Sequence, residues 1–399
     1  MSKKSKWVLK RHTFYYFIAR ILFKIYFFLF WDIKFENYLD KKQQYFILIN
    51  HQNNLDPFIA MSAYKRKCYP IGTDDVINNG LSGKILRHCF NPIPIKKFSN
   101  DLKALMNMKQ CVSEGGSILL APEGNRTYSG ATQTIFGNMG KLAKMYGIPV
   151  AIFNIKGGYR AKPRWAKNKR KATITCSIRK IIDTDHIKNT DGDTLTHEIE
   201  EALYVDDNQI KEPVKGKDLA EYLERVAYIC PKCGLSTFES CHDDITCKIC
   251  GLTAHMNNDY SLSWNDESIS LYNFKKWYDY QEEFIDKLDL DSLKDKVIFS
   301  ETVNVYLKEI KKGKTILYEN VVLNCYSNKV IIDNVEQEVL FDNVDSLSIA
   351  LAHKLDVNIN GKTYQIIGDE RFNAVKYSHL YYKYINTKKG NNNGRFYGL

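Results

Sequence analysis

The sequence has little proline, little glycine and no uninterrupted apolar run of about 20 residues, and each shortage excludes a class of protein. With 9 prolines and 22 glycines among 399 residues the chain is not collagen-like, and its 44% hydrophobic content argues against disorder. Ten cysteines in a chain of this length do not make a disulfide knot. No small-residue cleavage site follows the first apolar segment, so we do not expect a secretory signal. The length predicts two or three domains.

Acidic residues are scarce in the first part of the chain. Residues 1–180 contain 9 acidic and 32 basic residues, whereas residues 181–399 contain 37 acidic and 25 basic residues. A basic half of this kind fits an anionic partner, and nucleic acid, a membrane surface and phosphorylated substrates are the candidates.

The N-terminus favours the membrane surface. Ten of the eighteen residues from Phe14 to Trp31 are aromatic, and a cationic arm precedes them. Arg20 and Lys24 interrupt this segment one helical turn apart, where both side chains can reach lipid headgroups. We therefore predict that residues 1–34 form an amphipathic, monotopic anchor on the cytoplasmic face of a membrane. A transmembrane span and the core helix of a soluble domain are the alternatives.

Strand-like and helix-like segments alternate over residues 35–205. Apolar runs at 45–50, 117–121 and 149–155 have the length of buried strands, and helical patterns lie between them at 101–114 and 139–146. Asp56-Pro57 predicts a helix start, because it supplies a capping residue followed by proline in the first turn. The alternation predicts an α/β domain with a mostly parallel sheet.

Two polar segments follow predicted strands, at the strand ends where α/β proteins bind ligands. In the first, residues 50–56 (NHQNNLD), His51 follows the strand and Asp56 begins a helix. A carboxylate bonded to one imidazole nitrogen makes the other nitrogen a better base, as deprotonation of an alcohol requires. The spacing alone also fits an ordinary loop histidine. The second segment is residues 122–127 (PEGNRT).

Together the two segments resemble the NH-x₄-D and PEGTR blocks of PlsC-like glycerolipid acyltransferases, which include 1-acylglycerol-3-phosphate O-acyltransferases. The resemblance covers about residues 10–190, including the membrane-embedded N-terminal helices typical of the family. It implies that His51 deprotonates the acceptor hydroxyl, that Asp56 orients His51, and that the acyl group passes directly from a thioester without an acyl-enzyme.

The resemblance also implies how substrates bind. Arg126 would hold the acceptor phosphate beside Gly124, and Glu123 would support Arg126 or the acceptor glycerol. Lys97 falls where the family usually has arginine and would contact phosphate, a solvated lysine being the alternative. The acceptor would be a lysophospholipid, foremost 1-acylglycerol-3-phosphate giving phosphatidic acid. The donor would be acyl-CoA or acyl-acyl carrier protein. The basic segment 159–171 is either a solvated loop or a patch that faces the membrane or the donor.

A cysteine cluster begins at residue 230. Cys230, Cys233, Cys247 and Cys250 form two Cys-x₂-Cys-Gly knuckles, a pattern typical of a zinc ribbon, which we place at residues 230–258. Disulfides are the alternative. We expect a structural Zn²⁺ site that clamps domains together, and no nucleic-acid partner, because acidic residues surround the knuckles.

The remaining segments complete a three-domain prediction. Residues 206–229 and 259–290 are predicted to be helical linkers, and residues 291–385 a small antiparallel β domain resembling pleckstrin-homology modules. Asn360-Gly361 predicts a two-residue hairpin within it, and residues 386–399 a solvated tail. The alternative function is a catalytically degenerate, lipid-binding scaffold that recruits partners through the ribbon and the β domain.

Overall fold

The computed structural model describes residues 6–73, 77, 80–95, 101–135, 137–309, 313–335 and 337–390. These residues fold into two compact units. The first unit takes the described residues of 1–127, 131–161 and 171–207, and the second takes those of 128–130, 162–170 and 208–399.

Helix α1 (Lys10–Phe30) opens the first unit and has one packed face and one open face. Tyr16 and Phe27 are buried, whereas Phe17 is 60% exposed and Phe28 87% exposed. The helix is long and apolar enough to cross a membrane, by length and composition only. One such helix is weak evidence of insertion, since core helices and signal sequences share these properties.

Arg20 lies on the packed face of α1, so the prediction that it reaches lipid headgroups is wrong. Its Nε donates to the carbonyl of Met61 (3.2 Å) and its Nη2 to the carbonyl of Ser62 (2.9 Å), both near the end of helix α2 (Asp56–Ala63). Carbonyls in a last helical turn lack intrahelical donors, and a guanidinium group supplies several. Lys24 lies over the ring of Tyr38, 5.2 Å from its centroid.

The sheet of the first unit is mostly parallel, as predicted. Its strands are β1 (Asp32–Phe35), β2 (Phe46–Ile49), β3 (Cys68–Thr73), β4 (Ile93–Ile95), β5 (Ser117–Leu120), β6 (Val150–Lys156) and β7 (Thr173–Ile182). They lie in the order β1-β7-β6-β2-β5-β3-β4, with β6 and β7 antiparallel and the other five neighbouring pairs parallel.

Helices cover both faces of this sheet. The further helices of the unit are α3 (Gly80–Phe90), α4 (Leu102–Ser113), α5 (Met139–Tyr146), α6 (Gly158–Ala161), α7 (Thr184–Asn189) and α8 (Gly192–Leu203). Phe46 and Leu48 of β2 pack with α4, α5 and α8, while Ile47 and Ile49 pack with α1 and α2. Alternate side chains of one strand therefore enter two separate cores, which explains the continuous apolar run in the sequence.

The cysteine-rich part of the second unit is built from short antiparallel strands. Strands β8 (Ile229–Cys230) and β9 (Gly234–Leu235) pair, and β10 (Phe238–Cys241), β11 (Asp244–Cys247), β12 (Thr253–Met256) and β13 (Leu262–Trp264) form a four-stranded sheet. Helix α9 (Phe274–Asp286) follows within the segment predicted as a helical linker.

The helical linker predicted at residues 206–229 is wrong. This segment contains two 3₁₀ turns, Asp207–Gln209 and Leu223–Arg225, and the structure shows no α-helix in it. Pro213 and Gly216 interrupt it, and Tyr222 adopts a left-handed conformation with φ of 73°. Its apolar residues Leu219, Leu223 and Val226 are buried without forming an α-helix.

The C-terminal part of the second unit is an antiparallel sheet, as predicted, and a helix follows it. Its strands are β14 (Phe299–Glu309), β15 (Gly313–Cys325), β16 (Lys329–Ile332), β17 (Gln337–Leu340), β18 (Ser346–Ala350), β19 (Lys354–Ile359) and β20 (Lys362–Ile367), and helix α10 (Ala374–Lys388) follows. The order is β17-β16-β15-β14-β20-β19-β18. Asn360 and Gly361 join β19 to β20, both with positive φ, so the hairpin prediction is confirmed.

The basic segment 159–171 divides into buried arginines, for which neither predicted interpretation holds, and the exposed lysines Lys167, Lys169 and Lys171. Arg160, Arg164 and Arg170 are each less than 5% exposed. Within the second unit, Arg164 donates to the carbonyls of Ile349 (2.8 Å) and Leu351 (2.9 Å). A guanidinium group can satisfy several carbonyls where a flexible ammonium would supply a single point charge, so these cations are structural.

Candidate functional site

The segment that carries His51 is fixed to the sheet by its first side chain. The Asn50 amide donates to the carbonyl of Ile155 and accepts from the Ile155 N–H, both at 2.8 Å. This pair of bonds continues the β2–β6 pairing past Ile49, where the backbone ladder ends. His51 therefore begins its loop from a fixed point at the carboxyl end of β2.

His51 and Asp56 meet as the sequence predicted. The His51 Nδ1 and Asp56 Oδ2 atoms are 2.9 Å apart, the Asp56 side chain is fully buried, and the His51 side chain is 20% exposed. Oδ2 also accepts from the N–H groups of Gln52 and Asn53, each at 2.7 Å. These bonds hold the carboxylate at the start of α2, where the helix dipole also favours negative charge.

The pair can accept a proton from a bound hydroxyl. When Nδ1 carries the hydrogen donated to Asp56, Nε2 is the ring nitrogen that can take another proton, and the carboxylate stabilises the imidazolium that results. The remaining exposure of His51 shows that solvent reaches this side chain.

Glu123 joins the second polar segment to the first. Its Oε1 accepts from the His51 N–H (2.6 Å) and its Oε2 from the Gln133 N–H (2.8 Å). The Thr127 N–H in turn donates to the His51 carbonyl (2.9 Å). His51 is thus held through both backbone groups by the loop that follows β5, and the described contacts of Glu123 are with backbone.

Burial raises the pKa of the Glu123 carboxyl to about 8. The N–H groups of Gln133 and His51 act in the opposite direction, and the nearby Asp56 carboxylate adds to the increase. The side chain is 1% exposed, so the loss of hydration outweighs two hydrogen bonds.

The other residues predicted to bind substrate are Gly124, Arg126 and Lys97, and their surroundings differ. Gly124 sits in the turn with φ of 72°, a conformation that favours glycine, and its N–H donates to the Ala121 carbonyl. Arg126 is half-buried in the same loop. Lys97 lies outside the described residues.

Sequence reasoning missed the roles of two amide side chains in NHQNNLD. Gln52 Oε1 accepts from the N–H groups of Gly158 (3.0 Å) and Tyr159 (3.3 Å), and Asn53 Nδ2 donates to the Gly158 carbonyl (3.2 Å). These bonds tie the His51 loop to the turn after β6. The run of amide residues beside His51 was the available signal, since such side chains bond readily to nearby backbone.

The four predicted metal ligands also come together. The Sγ atoms of Cys230, Cys233, Cys247 and Cys250 all lie within 4.8 Å of one another. Two Sγ pairs, Cys230–Cys250 and Cys233–Cys247, are 3.6 Å apart. Sulfur atoms on a tetrahedral Zn²⁺ with bonds of about 2.3 Å would be about 3.8 Å apart, so the cluster has the size of a metal site. All four cysteines are free of disulfides.

One comparison with known proteins matches the segment that contains both motifs. A family model described as Acyltransferase matches residues 32–156. The solved 1-acyl-sn-glycerophosphate (LPA) acyltransferase PlsC from Thermotoga maritima is similar at 18% identity and a TM-score of 0.43, over 48% of this chain and 78% of that chain. Among curated proteins no match is found. Residues 32–156, which contain the NHQNNLD and PEGNRT motifs, therefore match the Acyltransferase family.

Proposed function

We propose that the chain is an O-acyltransferase that moves a fatty acyl group from a thioester donor to the hydroxyl of a lysophospholipid. One observation carries the proposal. Within a segment that matches the acyltransferase family, a partly exposed histidine is bonded at 2.9 Å to a fully buried carboxylate. That arrangement suits general-base catalysis on an alcohol.

In the proposed mechanism, Asp56 holds the Nδ1–H of His51 and Nε2 takes the proton of the acceptor hydroxyl. The acceptor oxygen attacks the thioester carbonyl, the C–O bond forms, and the C–S bond breaks. The proton on His51 then passes to the departing thiolate, which leaves as a thiol. The histidine returns to its starting state, so no covalent acyl-enzyme is required.

We propose 1-acylglycerol-3-phosphate as the acceptor and phosphatidic acid as the product. Arg126 would bind the phosphate, because its planar group makes paired bonds to phosphate oxygens. Gly124 and Lys97 would complete the acceptor site, and Glu123 would support it through its bonds to the His51 and Gln133 backbone. Acyl-CoA and acyl-acyl carrier protein are the proposed donors, and both carry the acyl group as a thioester.

The test is to incubate the purified protein with labelled acyl donors and a panel of lysophospholipids. We expect labelled product with at least one acceptor, foremost the 3-phosphate, and loss of that product in His51→Ala. His197→Ala is the matched control, because His197 is 72% exposed and pairs with Glu201 on the surface. Absence of product from wild type with every acceptor would refute the enzyme and favour the lipid-binding scaffold.

We further propose that α1 binds the membrane as a monotopic anchor on its cytoplasmic face. Support comes from its open apolar face, where Phe17, Leu22 and Phe28 are each at least 59% exposed. Deleting the helix would also remove the buried Tyr16 and Arg20, so the sharper test is the Phe17→Ser/Phe28→Ser double variant. We expect weaker sedimentation with anionic vesicles, while Tyr204→Ser, which removes an exposed aromatic outside α1, should behave as wild type.

We propose that the four-cysteine cluster holds a structural Zn²⁺ in a ribbon at residues 230–258. The support is the thiolate donor set and the spacing of its sulfur atoms. Elemental analysis should find one zinc per chain, and Cys233→Ser/Cys250→Ser should lose it. Cys241→Ser is the control, since Cys241 is an exposed cysteine of the same segment. Metal-free wild type would refute the site.

For the organisation of the chain we propose a catalytic domain at residues 35–205 and a pleckstrin-homology-like β domain at residues 291–385. What supports the second assignment is its order of four strands, then three strands, then one helix. Limited proteolysis should cut preferentially outside these two segments. Early cleavage within residues 291–385 would argue against a separate β domain.

A further inference from the structure

A buried carboxylate far along the chain from the family motifs reaches the region of the candidate active site. Asp207 is fully buried. Its Oδ1 accepts from the Gly157 N–H (2.9 Å) and its Oδ2 from the Tyr159 N–H (3.1 Å). Both oxygens therefore hold the turn that follows β6, and this residue lies outside the segment matched by the acyltransferase family.

The turn held by Asp207 cannot easily move elsewhere. Gly157 has φ of +82°, and a Cβ at this position would lie 2.1 Å from the carbonyl oxygen of Thr173. The backbone is thus pressed against β7 in a conformation that suits glycine alone. A turn in this position is located by sterics on one side and by the Asp207 carboxylate on the other.

The same turn contacts the His51 loop directly. Gln52 accepts from the Gly158 and Tyr159 N–H groups, and Asn53 donates to the Gly158 carbonyl. The N–H groups of Gln52 and Asn53 donate in turn to Asp56 Oδ2, the atom bonded to His51 Nδ1. Four successive sets of hydrogen bonds thus connect Asp207 to the His51 imidazole.

We propose that Asp207 is a positioning residue for His51: it fixes the 157–159 turn, which holds Gln52 and Asn53 and through them the Asp56 carboxylate. This inference rests on the proposed function of His51 as the base. Asp207 is hydrogen-bonded to the turn and not to the His51 ring. Its effect on the rate therefore comes from the placement of the base rather than from substrate binding.

The ionisation of Asp207 makes the relay dependent on pH. Burial raises the pKa of Asp207 to about 6, while the Gly157 N–H, the Gln52 side-chain amide, the Tyr159 N–H and the positive charge of Arg160 act in the opposite direction. Arg160 is the charged side chain facing it, and Gln52 is its neutral neighbour from the His51 loop. Above pH 6 both oxygens accept hydrogen bonds. Below pH 6 one oxygen carries a proton and accepts a hydrogen bond from the turn less well.

Asp207→Asn reproduces the protonated state at every pH, since an amide has one accepting oxygen and one donating nitrogen. The ratio of wild-type kcat to variant kcat should be near 1 at pH 5 and rise roughly tenfold or more above pH 7, with KM unchanged. Asp185→Asn removes an 86% exposed carboxylate of the same unit and should give a ratio of 1 throughout.

Gln52→Leu provides a second variant, which breaks the contact between the turn and the His51 loop and also removes the Gln52 amide from beside Asp207. It should lower kcat at constant KM, and adding Asp207→Asn should then cost little more, because both act through one path. A ratio of 1 at all pH values, a loss independent of pH, or additive losses in the double variant would each overturn the proposal.

A readout without turnover separates this inference from the proposed function. With ¹³C-labelled histidine, the His51 resonance is assigned by its absence from His51→Ala. It should differ between wild type and Asp207→Asn at pH 8 and converge at pH 5. If wild type makes no acyl product yet this difference appears, the relay stands and the proposed function fails. Identical His51 resonances at both pH values would refute the relay.

Discussion

Replacing Asp56 with Asn tests the charge of the candidate dyad without changing its shape. In the described structure one oxygen, Oδ2, accepts from the His51 ring and from the Gln52 and Asn53 N–H groups. An Asn side chain can place its amide oxygen at this position and keep all three contacts. The substitution therefore removes the negative charge while leaving the loop its acceptor.

The expected loss follows from the distance between the two groups. Two unit charges 2.9 Å apart attract by about 6 kcal/mol at an effective dielectric constant of about 20, and desolvation offsets part of this. We estimate that about 2–4 kcal/mol of this attraction is realised when His51 becomes positive in the transition state, which corresponds to a kcat lower by about 30- to 1,000-fold.

The assay is steady-state acyl transfer with a labelled donor, together with thermal unfolding of each variant. Asp56→Asn should unfold within a few degrees of wild type, and Asp56→Asn/His51→Ala should lose no more activity than His51→Ala alone, since the two residues act as one unit. A folded Asp56→Asn protein with the kcat of wild type would refute the proposed role of this carboxylate.

Three further variants and one control test the fold of the first unit. Burial raises the pKa of Glu123 from 4.5 to about 8, so between these pH values the folded state keeps a proton that the unfolded state releases. The free energy of unfolding should therefore fall as pH rises from 4.5 to 8. In urea titrations at several pH values, Glu123→Gln should make the free energy of unfolding depend less on pH. Gly140→Ala puts a Cβ 2.0 Å from the Gly192 carbonyl oxygen and should cost about 1–3 kcal/mol, whereas Gly72→Ala, with its nearest atom at 3.5 Å, should be tolerated in the same measurement. Arg20→Met removes the guanidinium donor from the Ser62 carbonyl and one of the donors of the Met61 carbonyl, which keeps the Tyr16 hydroxyl. It should lower the free energy of unfolding by about 1–3 kcal/mol; unchanged stability would show that water replaces the guanidinium.

Local signals predicted the elements on which the dyad depends. The apolar run before Asn50 gave β2, and Asp56-Pro57 gave the first residue of α2. The helix predicted at 139–146 and the hairpin at Asn360-Gly361 are also confirmed. Each of these signals acts within a few residues through backbone geometry or capping, so a single sequence contains it in full.

The direction in which a cation faces could not be predicted in the same way. Arg20 and Arg164 look like surface residues in the sequence, yet each donates to carbonyl groups more than 40 residues away in the chain. Asp207 is a similar case, since its partners Gly157 and Tyr159 are 50 and 48 residues distant. Composition gives the number of charged residues. Whether a charged side chain can be buried depends on which backbone N–H and C=O groups the fold places beside it.

The same observation changes the meaning of the basic first half of the chain. Among the residues of this half that the structure describes, five cations are less than a tenth exposed: Arg20, Lys67, Arg160, Arg164 and Arg170. Buried cations of this kind add little to the attraction between the protein and an anionic surface. That attraction comes from exposed lysines and is screened by salt. The open apolar face of α1 depends on salt much less. Vesicle sedimentation at low and high salt should therefore show a salt-sensitive part and a salt-resistant part. Phe17→Ser/Phe28→Ser should remove the resistant part alone, and loss of all wild-type binding at high salt would contradict the anchor.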